Sequence, residues 1–293
     1  MFDDARVVRG LWRVVGTLGA LCLVALAACK GGGGAPSSAQ TGAAAPDSAD
    51  APAEEPSTAE GDADGPAESG PPHWKYDGEH GPDHWSELDA TFAACDGKEQ
   101  SPIDIAAGKK EGHHKALALE YKRAVDNAIL NNGHTIQVNY QNGSVLTFDG
   151  KQYQLAQFHL HAPSEHRIHG AAAAAELHLV HKSSEGDIVV VGVLLREGAG
   201  NRLLKQFWSE LPESEGEHPL AHPLRVADAL PKDHHYYTYA GSLTTPPCTE
   251  GVRWIVMKKP MTISKKQLAR FSGLLGENAR PPQPINERVV ETY

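Results

Sequence analysis

Two short segments hold the residues best able to do chemistry. Within Gln157-Phe158-His159-Leu160-His161, two imidazoles are separated by a single residue. Side chains on an extended strand alternate faces, so His159 and His161 point one way while Phe158 and Leu160 point into apolar packing. A second segment, Glu176-Leu177-His178-Leu179-Val180-His181, sets Glu176, His178 and Val180 on one face. Laid beside the first, it supplies a third imidazole. Three neutral imidazoles would leave Zn2+ with its full charge and an open fourth position for water, the layout of a catalytic rather than a structural site. Spacing alone does not settle the matter, because a His-x-His on a strand also arises at surfaces and in ordinary packing.

These segments need a sheet to bring them together, and the surrounding sequence predicts one. Strand-like runs cover 117–122, 135–140, 144–149, 153–161, 175–181, 188–195 and 252–258. Asn142-Gly143 and Asp149-Gly150 are hairpin signals, read as joining three of these runs into an antiparallel meander. Helical periodicity is confined to 201–211 and 264–275, the latter with Leu268, Phe271, Leu274 and Leu275 on one face. No internal repeat is evident. The fold class is therefore mainly β (α+β by a looser definition), with a few peripheral helices.

The N-terminal quarter has a different character. Arg6, Arg9 and Arg13 precede an apolar run ending at Ala28, the layout of an export signal over residues 1–28. That run is shorter than the ~20 residues a membrane span requires. Its end, Leu26-Ala27-Ala28-Cys29, resembles the lipobox of bacterial lipoproteins. The resemblance implies cleavage before Cys29, lipidation of that cysteine, and a membrane attachment through at least two acyl chains, which is what stable anchoring takes. Lys30 at the next position fits transfer to an outer membrane, with the domain in the periplasm or at the surface. An ordinary signal peptide ending in Cys, or an uncleaved anchor, is the alternative.

After Cys29 and Lys30, the stretch 29–72 is mainly Gly, Ala, Pro, Ser and acidic residues, without an aromatic or large aliphatic side chain. Such a stretch cannot bury enough apolar surface to offset its ordering entropy, and it reads as a disordered tether. As a flexible coil it would reach roughly 35–40 Å. The chain has 27 Lys plus Arg against 37 Asp plus Glu, and much of the excess acid lies in the tether. No basic stripe marks a nucleic-acid partner. Residues 73–293 have globular composition and form the folded domain. Of the four cysteines, Cys22 leaves with the signal and Cys29 takes lipid. Cys95 and Cys248 remain, and a lone pair in an oxidising compartment reads as one disulfide, the alternative being two buried thiols.

Several segments together resemble the α class of carbonic anhydrases. They are Gln100-Ser-Pro-Ile-Asp-Ile, Asn131-Asn-Gly-His, Gln157-Phe-His-Leu-His, Ser164-Glu-His, Ala175-Glu-Leu-His-Leu-Val-His, Tyr239-Ala-Gly-Ser-Leu-Thr-Thr-Pro-Pro, and Asn278 followed by Arg-Pro. They stand in the family's order across essentially all of 73–293. The resemblance implies a central twisted, mostly antiparallel sheet of about ten strands with zinc at the bottom of a conical cleft, and reversible hydration of carbon dioxide to bicarbonate by a zinc-bound hydroxide.

By position, the resemblance makes His159, His161 and His178 the zinc ligands. It makes Thr244 the residue that orients the attacking oxygen while donating to Glu165, an acceptor when ionised. Gln157, Glu176 and Asn278 become the partners that fix the ligand side chains. Val180, Val190, Leu243, Thr245, Val252 and Trp254 become the pocket for carbon dioxide. His134 becomes the proton shuttle, its ordinary pKa near 6.5 suiting transfer at neutral pH, and Tyr76, Asn132 and Gln137 line its water network. Cys95 and Cys248 match the disulfide of secreted members, and Pro102 and Pro246-Pro247 match cis bonds. Anions and sulfonamides are the implied inhibitors, and pairing into a homodimer stays open.

The chain holds 16 His. His113, His114, His218, His222, His234 and His235 match no catalytic position, and His166 and His181 read as structural hydrogen-bonding residues. The compact run Ala162-Pro163-Ser164-Glu165 is like that of bacterial members. Three rival readings are an inactive binding module on this fold, a zinc esterase, and a structural zinc protein. The complete histidine set speaks against the first, and the lack of a fourth protein ligand against the last.

Overall fold

The computed structural model describes residues 73–106, 110–112, 116–140 and 143–293, of which Lys110 and Glu111 are described by backbone alone. The export signal, Cys29 and the tether lie outside the described residues, as do His113, His114 and Asn142. No helix among the described residues is long and apolar enough to cross a membrane.

A large twisted sheet dominates the described residues. Its hydrogen-bonded path runs through ten strands, with three more paired at its flanks, and a separate small sheet forms from Asp104–Ile105, Arg167–Ile168 and Ala171–Ala172. At the centre, Lys151–His161 pairs antiparallel with Ala175–Lys182, which pairs antiparallel with Ile188–Glu197. Ile188–Glu197 then runs parallel to Glu250–Met257, whose other neighbour, Tyr236–Ser242, is antiparallel. The sheet is thus mostly antiparallel with a parallel seam in its middle.

Alternation sorts the side chains of this centre. Leu177, Leu179, Val189, Val191, Val193 and Ile255 enter the main core, with Phe158, Leu160 and Phe271. Val180, Val190, Val252 and Trp254 face the other way into a second apolar cluster with Tyr239 and Ile103. The Ala175–Lys182 strand is buried on both faces, except at Lys182. It is therefore a central strand, and the imidazole it carries is removed from water.

The structure revises the turn and helix expectations at two places. Asp149 and Gly150, both with positive φ, do close a hairpin between Val145–Phe148 and Lys151–His161. Gly143 does not. Ile136–Asn139 and Val145–Phe148 both pair antiparallel with the same long strand, in tandem, so they run in one direction and no meander forms. The eleven-residue strand Lys151–His161 is long enough to accept both. The expected helix at 201–211 is instead two 3-10 turns, Leu204–Gln206 and Trp208–Glu210. Asn201 starts them by accepting from the Leu203 and Leu204 N–H groups, and i→i+3 bonds carry them on. Leu203, Leu204, Phe207 and Leu211 are still buried, so the apolar pattern is satisfied without an α-helix. The second helix, Lys265–Leu275, forms with a Ser264/Gln267 capping box. Cis bonds occur at Ser101-Pro102 and Pro246-Pro247, and also at Ala162-Pro163, which was not expected.

Candidate metal centre

His178 lies directly across from His159 in the strand register, and Glu176 across from His161. The two strands thereby converge three imidazoles on one face, with potential ligand atoms all within 4.8 Å of one another. Two of the rings are oriented by hydrogen bonds and the third stands against a carboxylate. His159 Nδ1 meets Gln157 Oε1 at 2.8 Å, and His161 Nδ1 meets the Asn278 carbonyl at 2.6 Å. His178 Nε2 lies 3.2 Å from Glu176 Oε1. These contacts leave Nε2 of His159 and His161 and Nδ1 of His178 turned to the shared space. Nε2 of His161 is buried and makes no hydrogen bond, and such an atom in a native interior calls for a partner.

Burial, more than any other cause, holds all three imidazoles below their ordinary range, His161 at about 4. They are therefore neutral at neutral pH, the state that can donate a lone pair to a metal. Three neutral nitrogens with fixed tautomers fit a tetrahedral dication with one position to spare.

Two buried carboxylates stand behind the triad. Glu176 is inaccessible to solvent, which alone would raise its pKa, but His166 and His178 hold it well below the usual carboxylate value. It accepts from the His166 N–H at 2.8 Å and lies 2.7 Å from His166 Nδ1, while His166 Nε2 meets the Tyr239 hydroxyl at 2.7 Å. Tyr239 in turn donates to Ser101 at 2.9 Å. Glycine makes room for this relay. A Cβ at Gly192, opposite His178, would stand 2.7 Å from Glu176 Oε1, and one at Gly241 would stand 2.2 Å from Ser101 Oγ.

Glu165 is also fully buried, and burial raises its pKa to about 7. His178, the Arg280 N–H at 2.9 Å, and the Thr244 hydroxyl work in the opposite sense. Oε2 of Glu165 lies 3.8 Å from His178 Nδ1, which places the carboxylate beside the triad. Arg280 is itself buried and tied to Gln100, Ser101 and Cys95. Asn278 uses its amide to hold Leu160 and His134 at their carbonyls and Ala162 at its N–H.

A cleft of about 310 Å³ opens beside the triad, lined by His159, His178, Gln137, Gln157, Val180, Val190, Leu243, Thr244, Thr245 and Trp254. Val252 does not line it but packs behind with Val180 and Trp254. His134 stands elsewhere: it stacks on Trp74 at 3.7 Å and lines a second cavity with Tyr76. Burial, then His73, lowers its pKa, and Glu215 opposes them. The Tyr76 hydroxyl is buried without a hydrogen bond and its pKa is pushed up by burial and by Glu165. Asn132 is exposed, its side-chain oxygen accepting from the His134 and Thr135 N–H groups. Gln137, paired with His159 in register, donates to Asn139. Of the three water-network residues, Gln137 alone borders the triad's cleft.

The profile of eukaryotic-type carbonic anhydrases matches residues 80–293. The chain belongs to the α-carbonic anhydrase family. A carbonic anhydrase of Nostoc sp. is 42% identical over 231 residues, covering 77% of this chain and 88% of that one. The α-carbonic anhydrase of Thermovibrio ammonificans, solved with the inhibitor sulfanilamide, is 41% identical with a TM-score of 0.73, covering 76% of this chain and all of that one. The fold also occurs in dioscorin, solved with ascorbate, at 32% identity and a TM-score of 0.71, covering 75% of this chain and 98% of that one. Membership makes the chain an enzyme of carbon dioxide hydration. Cys95 and Cys248 form a disulfide, with Cα atoms 4.9 Å apart.

His166, expected to be a structural hydrogen-bonding residue, is one, bridging Glu176 and Tyr239; sequence reasoning gave no role to Tyr239, Ser101, Gly192 or Arg280. Tyr239 and Ser101 lie inside quoted motifs, so the signal was present, but partners 138 residues apart have no local spacing to reveal them.

Proposed function

We propose that this α-carbonic anhydrase uses zinc held by His159, His161 and His178 to interconvert carbon dioxide and bicarbonate in the bacterial cell envelope. The carrying observation is the triad itself: three neutral imidazoles, those of His159 and His161 held by hydrogen bonds and that of His178 set beside the Glu176 carboxylate, with a buried, unpartnered Nε2 on His161. Bound there, zinc supplies Lewis acidity and lowers the pKa of a water to about 7, as is established for carbonic anhydrases.

The rest is work for the chain. Thr244 donates to Glu165 when that carboxyl is ionised, which leaves the threonine oxygen as an acceptor that aims the nucleophile. Val180, Val190, Leu243 and Trp254 give the uncharged substrate an apolar seat, with Thr245 at its edge. Glu176, Gln157 and the Asn278 carbonyl hold ring orientation and tautomer. His134, half-buried and neutral at pH 7, passes the released proton to buffer, with Tyr76, Asn132 and Gln137 ordering water on the way.

The sulfonamide bound by the Thermovibrio relative supports inhibition of this chain by the same class. Processing before Cys29 and lipid attachment would place the domain of residues 73–293 on a tether of residues 29–72 at the envelope. Labelling with radioactive palmitate tests that attachment, with label on the wild type and none on Cys29→Ser as the expected result. The catalytic reading is tested by zinc quantification with stopped-flow hydration on the full chain. One zinc per chain and rapid hydration are expected, both lost in His178→Ala. A metal-free or inert wild-type chain would contradict the reading.

A further inference from the structure

The strand that bears His178 ends in a cation. His178, Val180 and Lys182 all line the cleft beside the triad, and they follow one another outward along one strand. Across from them, Val190 pairs with Val180 and Ile188 with Lys182, and both also line it. Burial falls along this wall, from His178 and Val180, which are buried, to Lys182, which is exposed. Lys182 is therefore the mouth of the cleft on its apolar side. Four residues of strand put its Cα roughly 13 Å from that of His178. The ammonium makes no ion pair among the described residues, and the acidic side chains of the following turn, Glu185 and Asp187, are both engaged by Lys151.

An uncompensated cation above an apolar wall and a metal-binding triad acts on charge, not on shape. We propose that Lys182 is a specificity residue of the cleft, favouring anionic ligands (bicarbonate, and arylsulfonamides bearing a carboxylate) over neutral ligands of the same size. This rests on the zinc reading above. Carbon dioxide carries no charge for Lys182 to select. Rates in the two directions are tied by the reaction's equilibrium constant, so binding rather than a ratio of rates isolates the effect.

The test compares two probes on the full zinc-loaded chain, 4-carboxybenzenesulfonamide and its neutral amide, 4-sulfamoylbenzamide, by calorimetry. Their affinity ratio is measured in wild type, Lys182→Gln and Lys182→Glu. A unit charge ~8 Å from the carboxylate in a water-like medium predicts that the preference for the anionic probe falls about twofold in Lys182→Gln and about fivefold in Lys182→Glu. The differences should shrink between ~10 mM and ~0.3 M salt, as screening shortens. Binding of the neutral probe shows that each variant is folded and loaded. An affinity ratio equal in all three chains overturns the role of Lys182. Failure of the wild type to bind the neutral probe strikes instead at the zinc reading on which the role depends.

Discussion

Replacing both Cys95 and Cys248 by serine removes the one covalent crosslink of the described residues, and its effect can be worked from the structure. The bridge joins positions 153 residues apart. In the chain-entropy view, opening a loop of that length frees the unfolded state by about 5 kcal/mol at 25 °C. For a domain of this size, each kcal/mol moves the melting temperature by ~2–4 °C, so a fall of roughly 10–20 °C is expected. The bridge also sits where function is built. Cys248 follows Thr244 by four residues, its N–H donates to the Thr245 carbonyl at 2.8 Å, and its carbonyl accepts from Gln100 at 3.1 Å. On the other side the Cys95 carbonyl accepts from Arg280 at 2.9 Å, and the Arg280 N–H holds Glu165. Loosening the bridge therefore also relaxes the loop that presents Thr244, and kcat should decline at temperatures where the variant is still folded. Scanning calorimetry of the oxidised wild type, the reduced wild type and the double variant is the assay. Equal melting temperatures in all three would refute the entropic reasoning, and unchanged kcat would refute the link to Thr244.

Three further outcomes are expected. Glu176→Gln should weaken zinc binding by about 10- to 100-fold, as measured by chelator competition, because a neutral amide with one acceptor oxygen replaces the carboxylate that faces both His166 and His178; unchanged affinity would count against that role. His134→Ala should slow turnover in weak buffer and recover with added imidazole, and a rate unaltered in weak buffer would remove His134 from the mechanism. His181, buried against Tyr121, has a pKa lowered by burial to about 4. Its contribution is complete above the unfolded value near 6.5 and is lost as pH falls toward 4, about 2 kcal/mol by pH 5. His181→Gln should flatten that part of the urea midpoint against pH, and an unchanged acid slope would contradict it.

The strand alternation was enough to put His159 and His161 on one face of their segment and Glu176 with His178 on one face of theirs, because period-two patterning is local; that the two faces meet comes from the pairing of the strands. The same logic failed at Asn142-Gly143, since a turn dipeptide signals a change of direction but not which strand each arm will meet. The length of Lys151–His161 decided that both arms share it. The segment 201–211 carries helical spacing, yet Asn201 binds Leu203 and Leu204 through its side chain and leads the chain into 3-10 turns. Short strands such as Ala128–Asn131 and Gly216–Pro219 have too few residues for alternation to declare itself. The support behind the metal centre was least legible. The buried chain from Glu176 through His166 and Tyr239 to Ser101 is assembled from distant segments, and its clearance depends on Gly192 and Gly241, whose meaning is the lack of a side chain.

The most direct test is metal content measured with hydration rate on one preparation of the full chain. One zinc per chain, with activity that is lost on chelation and restored by zinc, is what three buried neutral imidazoles predict. A folded chain that hydrates carbon dioxide equally well with zinc stripped away would contradict them.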